Sequence, residues 1–304
     1  VGKTVPFCMI FLNKTLTNRN IFILLISLKK IYIVYMRIEV KKANNEIKLF
    51  KSTRDKKFTG INLPEDSPLP SESFTMILNG APGSGKSLFV ENIIRNFYNV
   101  KGKQTVWSYI AYFCPSASQN SYENSFVADL DSDDIYDELN TSTLGEAYEK
   151  AKETAEEGTA RKPKFSLVVI DDFATELRTT FGKDGGVKKL LLKMLRNFRH
   201  CNMTVILSVQ GYLSLDPQHR NVIRNLVQFK TGSYPEIEKI WLEWGSNINK
   251  NDFISKLMPF VFDKKYNFLQ IDRYREFAMA KNFNPICIKS EYEETTTDNE
   301  QNNN

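Results

Sequence analysis

The stretch Phe74-Thr-Met-Ile-Leu-Asn-Gly80-Ala81-Pro82-Gly83-Ser84-Gly85-Lys86-Ser87-Leu-Phe runs from an apolar segment into a glycine-rich turn and out into an amphipathic one. Its GxxxxGKS spacing predicts a phosphate-binding loop (P-loop) between a strand and a helix, made for a nucleoside triphosphate. Gly80, Gly83 and Gly85 let the backbone curl so that its amides face phosphate oxygens, with Ala81, Pro82 and Ser84 completing the loop. Lys86 is placed to reach the β and γ phosphates and Ser87 to hold Mg²⁺. The phosphates are expected on the N-terminus of a helix running from about Lys86 to Tyr98, where free amides and the helix dipole favour negative charge.

About ninety residues on, Phe165-Ser-Leu-Val-Val-Ile-Asp171-Asp172 is an uninterrupted apolar run closed by two carboxylates. Such a run suits a central parallel strand covered on both faces. The acids then sit at its carboxyl end, where open α/β sheets bind ligands. Asp171 is placed to hold Mg²⁺ through water, and Asp172 to orient or deprotonate an attacking water. A third run, Met203-Thr-Val-Ile-Leu-Ser-Val-Gln210, repeats the buried pattern and ends in an amide. At that position Gln210 is suited to touch both the γ-phosphate and the water and to report the nucleotide state to the next element. The alternative for Gln210 is a plain surface residue at a strand end.

At 304 residues the chain has room for one large α/β core with small additions. The four cysteines, Cys8, Cys114, Cys201 and Cys287, lack metal-ligand spacing and read as buried thiols in a reducing compartment. With only two histidines no zinc centre is expected. The net charge of +5 comes entirely from Lys3, Lys14, Arg19, Lys29 and Lys30, leaving 36 basic and 36 acidic residues from Met36 onward. Bulk charge therefore supplies no argument for nucleic-acid binding, which has to rest on local patches or an assembled ring.

Residues 1–35 read as a separate leader, either upstream sequence translated ahead of Met36, a poorly ordered extension, or a weak membrane anchor. Lys29 and Lys30 interrupt the apolar stretch from Ile21 to Tyr35, leaving runs too short to cross roughly 30 Å of hydrocarbon. Residues 36–73 read as an edge segment closing on a proline-rich connector, and 74–282 as the catalytic domain. An acidic insert, 122–163, contains a helix from Leu144 to Glu157 expected to be solvated. The polar tail, 283–304, is expected to be disordered. Asp216-Pro217 predicts a capped helix start.

Together these pieces resemble the DNA-packaging ATPases of poxviruses and other large nucleocytoplasmic DNA viruses, a branch of the FtsK/HerA superfamily of P-loop motors. The resemblance covers about residues 70 to 275. It is carried by residues 80–87, Tyr112-Phe-Cys-Pro-Ser-Ala-Ser118, Val168-Val-Ile-Asp-Asp172, the lead from Arg199-His-Cys-Asn into the strand ending at Gln210, and Asn221-Val-Ile-Arg224-Asn. It implies an α/β P-loop NTPase of the additional-strand class, with a mostly parallel central sheet flanked by helices and the Gln210 strand between the P-loop strand and the acid strand. It further implies ATP and Mg²⁺ as cofactors, double-stranded DNA as the moved partner, a homo-oligomeric ring, a capsid or membrane-associated virion protein as docking partner, and a place in the virion or the host-cell cytoplasm. Many relatives in the wider superfamily carry glutamate as the second acid, so the base is Asp172 or Glu176. A ring motor also needs an arginine offered across a subunit boundary, for which Arg224 and Arg199 are the candidates, with Arg196 and Arg220 as neighbours. Competing readings are another ring translocase or helicase-like ATPase, a small-molecule kinase and a non-catalytic nucleotide-binding scaffold. Retention of Lys86, Ser87, Asp171 and Asp172 argues against the scaffold.

Overall fold

The computed structural model describes residues 10–12, 20–27, 30–37, 57–58, 68–98, 105–115, 127, 130, 134–173, 176–177, 185–275 and 278–288. The chain divides into two compact units, Val1–Ser52 and Thr53–Asn304. In the first, β1 (Ile10–Leu12), β2 (Asn20–Ser27) and β3 (Lys30–Arg37) form an antiparallel sheet in the order β1-β2-β3. Ile21 pairs with Met36 and Ser27 with Lys30. Lys30, one of the two lysines that interrupt the apolar stretch, is the first residue of β3. Strand β3 runs through the expected boundary at 35/36, so that boundary does not separate elements here.

The second unit is built on a sheet of nine strands. Its parallel part comprises β4 (Thr75–Asn79), β5 (Tyr109–Phe113), β6 (Ile135–Tyr136), β7 (Ser166–Asp171), β8 (Met203–Val209) and β9 (Asn225–Phe229). Across the sheet these lie in the order β9-β4-β8-β7-β5-β6, every neighbouring pair parallel. Strands β10 (Phe268–Asp272), β11 (Ala278–Lys281) and β12 (Asn284–Pro285) extend the β9 side antiparallel. The architecture is the expected one: a P-loop NTPase with the glutamine strand β8 between the P-loop strand β4 and the acid strand β7.

The longer helices are α1 (Lys86–Asn92), α2 (Thr141–Glu157), α3 (Gly185–Asn197), α4 (Pro217–Val222) and α5 (Tyr234–Trp244), and shorter helical segments run from Lys250 to Val261. Helix α1 passes into a π-helical turn, Ile93–Phe97. The central strands read as continuous apolar runs because both faces of the sheet are covered. Met76 and Leu78 pack with Phe89 and Val90 of α1 on one face, whereas Ile77 belongs to the opposite core with Leu144 and Leu191. Along β7 the alternation repeats, Leu167 and Val169 against Val168 and Ile170.

Three expectations about organisation need correction. The helix of the acidic insert is not solvated all round: the insert supplies β6, paired to β5, and α2, whose Leu144, Ala147, Tyr148 and Ala151 are buried. These residues fall at i, i+3, i+4 and i+7, one stripe of a helix, while the glutamates occupy the other face. Asn140 caps α2 by accepting from the backbone N–H of Ser142 and Thr143 at 2.9 and 3.0 Å. The segment before β4 is likewise more than an edge, since Phe58 is buried and its ring lies 4.7 Å from that of Phe165 and 5.4 Å from that of Tyr98. At the other end the sheet continues past 282: Phe283 stacks on Phe89 at 5.4 Å, and β12 follows. Of the cysteines, Cys114 and Cys201 are buried but Cys287, just beyond β12, is exposed. Cys8, the loop after Pro115 and most of the loop between Asp172 and α3 lie outside the described residues.

Candidate active site

The P-loop leaves the carboxyl end of β4, the strand flanked on both sides by parallel neighbours. The N–H of Gly80 donates to the carbonyl of Val209 at 3.2 Å, carrying the β4–β8 pairing one residue into the loop. A side chain at Gly80 has no room, because a β-carbon there would lie 2.6 Å from Ser84 Oγ and 2.7 Å from Phe229 Cβ. Gly85 has φ 105°, a backbone region that bulky residues avoid, and hands directly into α1. Lys86, at the first position of α1, turns its ammonium back into the loop and donates to the carbonyls of Gly80 at 2.7 Å and Ala81 at 3.2 Å. Burial lowers its pKa, and Asp171 and Asp172 oppose that shift by favouring the charged form. The ammonium is therefore held among carbonyls that a phosphate oxygen can replace as a charge-assisted partner.

The two acids differ sharply in surroundings. Asp171, the last residue of β7, is buried, and its Oδ2 accepts from Ser87 Oγ and from the Tyr112 hydroxyl, each at 3.2 Å. Asp172 is exposed and has φ 64°, which turns the chain sharply away from the sheet. Its N–H still donates to Ser208 at 3.3 Å, and its Oδ1 accepts from Nε2 of Gln210. A left-handed backbone is uncommon for a residue other than glycine and clusters at functional sites. Here it separates neighbouring carboxylates, one turned into the sheet beside Ser87 and one toward solvent beside Gln210. The pairing of the Ser87 hydroxyl with the Asp171 carboxylate is a set of hard oxygen donors of the kind Mg²⁺ takes, so the residues fit the ion.

Lys86, Ser87, Asp171, Asp172 and Gln210 thus converge at the carboxyl edge of β4, β8 and β7. Glu176 sits half-exposed one turn beyond Asp172 and has no hydrogen bond to Asp172 or Lys86 among the described contacts. The arginines lie elsewhere. Arg224 precedes β9, and its N–H donates to Thr75 Oγ1 at 3.0 Å, at the amino end of β4. A five-residue strand separates it from the P-loop, about 16 Å at the usual rise. Its guanidinium is buried, lies 4.1 Å from the ring centroid of Tyr274 and 4.8 Å from that of Phe198, and pairs with Glu72 at 3.4 Å. Arg199, in the turn leading to β8, is exposed at that same amino edge.

Sequence reasoning assigned no role to Tyr112, although its position near the end of the strand beside β7 was available as a signal. It also passed over Gln228, whose Oε1 accepts from Asn79 Nδ2 at 2.8 Å and ties β9 to the last residue before the P-loop.

The chain is similar to several known proteins. Uncharacterized protein 015R of Frog virus 3 (isolate Goorha) is 24% identical over 189 residues, covering 62% of this chain and 52% of that protein. The chain therefore matches about half the length of that relative. Among solved structures, the genome packaging NTPase B204 from Sulfolobus turreted icosahedral virus 2 in complex with AMP is similar, with 18% identity over 71% of this chain and 98% of that one and a TM-score of 0.49. B204, the DNA-packaging ATPase from Sulfolobus Turreted Icosahedral Virus, gives 20% identity over 70% and 98%, with a TM-score of 0.48. The sequence profile of the Poxvirus A32 protein family matches residues 65–303, nearly the whole second unit with every site residue named above, and the chain belongs to that family.

Proposed function

We propose that this chain is an ATPase that acts as a ring-forming motor and drives double-stranded DNA of a viral genome into a preformed capsid, at the assembly site in the host-cell cytoplasm or in the virion. The observation that supports it most directly is the meeting of Gln210 and Asp172 at neighbouring strand ends, across from Lys86. A pure binding scaffold needs the P-loop but has no use for a polar contact between a strand-end glutamine and a solvent-facing acid.

In this reading the Lys86 ammonium exchanges the Gly80 and Ala81 carbonyls for the β and γ phosphates. Asp171 and Ser87 would hold Mg²⁺, which when bound neutralises phosphate charge. Asp172 orients the attacking water and takes its proton, and Gln210 holds the Asp172 carboxylate while sensing whether a γ-phosphate is present. Residue 212, two positions on, carries that signal into the fold, since the Tyr212 hydroxyl donates to Glu243 of α5. Arg199 and Arg224 stand at the opposite edge of their own sheet, so in this reading either one completes the site only when offered by another copy.

Steady-state ATPase activity with and without double-stranded DNA tests this. The motor reading expects turnover that rises with duplex DNA and disappears in Lys86→Ala. Nucleotide binding without turnover under either condition supports the scaffold instead.

A further inference from the structure

A triphosphate whose γ end faces Asp171 and Asp172 must extend its nucleoside end the other way. The acids are carried by β7, two strands from β4 on one side, and β10 stands two strands from β4 on the other. With neighbouring strands about 4.8 Å apart, each is about 10 Å from the P-loop strand. Strand β10 runs antiparallel, with Phe268 opposite Phe229, so the residues just before Phe268 lie at the same edge as the P-loop.

Tyr266 is there. A β-carbon placed on Gly85 would lie 3.4 Å from Tyr266 Cδ1 and 3.6 Å from Phe229 Cε1, so the tyrosine borders the last glycine of the loop. Tyr266 is nonetheless 54% exposed, whereas Phe229 and Phe268 beside it are buried. Its backbone has φ 68° in a tight turn closed by the N–H of Asn267 on the carbonyl of Lys264 at 3.4 Å. That position of a turn favours glycine or asparagine, and a large aromatic held there is strained. Neither burial nor turn preference accounts for this residue. The Lys265 ammonium lies over the ring 4.7 Å from its centroid, leaving the second face.

We infer that Tyr266 is the platform on which the nucleobase stacks, forming the base subsite of the nucleotide site. The assignment rests on the proposed nucleotide-binding reading and adds to it the element that distinguishes a nucleoside triphosphate from bare polyphosphate.

The test compares ATP with inorganic tripolyphosphate by calorimetry on the full chain and on Tyr266→Gly, Tyr266→Ala and Tyr266→Phe. Base–aromatic stacking of ordinary strength predicts that Tyr266→Gly and Tyr266→Ala weaken ATP about tenfold. Tripolyphosphate affinity is expected to stay unchanged, and Tyr266→Phe to retain ATP affinity. Tyr266→Gly also relieves the turn, so its Tm is expected to equal or exceed that of the parent while ATP affinity drops. Equal losses for ATP and tripolyphosphate make the ring a mere support of the loop and overturn the inference. Unchanged ATP affinity overturns it as well, including the case in which only DNA stimulation suffers. Should the parent bind neither compound, the nucleotide site itself is wrong, a result separate from either failure of Tyr266.

Discussion

Asp171 and Asp172 are adjacent in the chain, yet one carboxylate is buried between two hydroxyls and the other is exposed against an amide. This divides their roles. Asp172→Asn preserves size and the backbone turn but removes basicity, so it is expected to keep ATP affinity and to lower turnover about 10²- to 10⁴-fold. Near-parent turnover in a steady-state assay would transfer the role to Glu176. Tyr112 is a positioning residue, because its hydroxyl donates to the Oδ2 of Asp171 beside Ser87. Tyr112→Phe is expected to raise the Mg²⁺ concentration needed for half-maximal activity several-fold and to weaken Mn²⁺ binding to the ADP complex, followed by electron paramagnetic resonance. ADP affinity without metal should not change. A variant with the parent's metal dependence would reduce that hydrogen bond to packing.

At the scale of elements, α4 joins the glutamine strand β8 to β9 and is held by polar contacts legible only in three dimensions. His219 is buried, its Nε2–H donating to the carbonyl of Lys188 at 3.0 Å, with Nδ1 lacking a hydrogen-bond partner among the described residues. Burial lowers its pKa, outweighing the Lys188 carbonyl and the Asp216 carboxylate, which favour the proton. The unfolded chain therefore binds the proton first as pH falls. Stability from the neutral ring is complete above about pH 6.5 and is lost as pH drops through the lower folded value. Between pH 7.5 and 5.0 the Tm is expected to fall less steeply in His219→Gln than in the parent, measured by thermal unfolding at each pH. Identical slopes would remove His219 as a source of the dependence. Helix α2 illustrates what periodicity shows and composition hides. Its abundance of alanine and glutamate reads as solvated, but Leu144, Ala147, Tyr148 and Ala151 at helical spacing form a buried stripe that packs toward β5 and β7.

For the whole molecule, the strand order puts the P-loop, acids and glutamine at one edge and both candidate arginines at the other. No motion of a side chain spans about 16 Å, so neither Arg199 nor Arg224 reaches the P-loop of its own copy, and a finger role for either requires a second copy. Arg224 touches two aromatic rings and a glutamate, contacts worth about 0.5–2 kcal/mol each, so Arg224→Ala is expected to lower stability as well as activity. Arg199, exposed, permits the cleaner experiment. Mixing Lys86→Ala subunits with Arg199→Ala or Arg224→Ala subunits creates some interfaces in which an intact P-loop faces an intact arginine. Two inactive proteins are then expected to regain DNA-stimulated ATPase activity. If native gels show mixed rings and neither mixture recovers, the arginines do not act between subunits.

What the sequence determined by itself was local chemistry. Gly80 to Ser87, the strand ending at Asp171 and the strand ending at Gln210 were legible because each needs a short run of residues in fixed order, with backbone turns only glycine permits and apolar runs only a doubly covered sheet requires. The resemblance to packaging ATPases supplied the strand order, which no single run encodes. Tertiary structure alone decided the partners of those residues: Tyr112 reaching Asp171 from 59 positions away, Gln210 meeting Asp172 across 38, and Arg224 enclosed by rings at the far edge. These contacts depend on which strands lie side by side and on the left-handed turn at Asp172, and both are settled by packing of the two cores against the sheet.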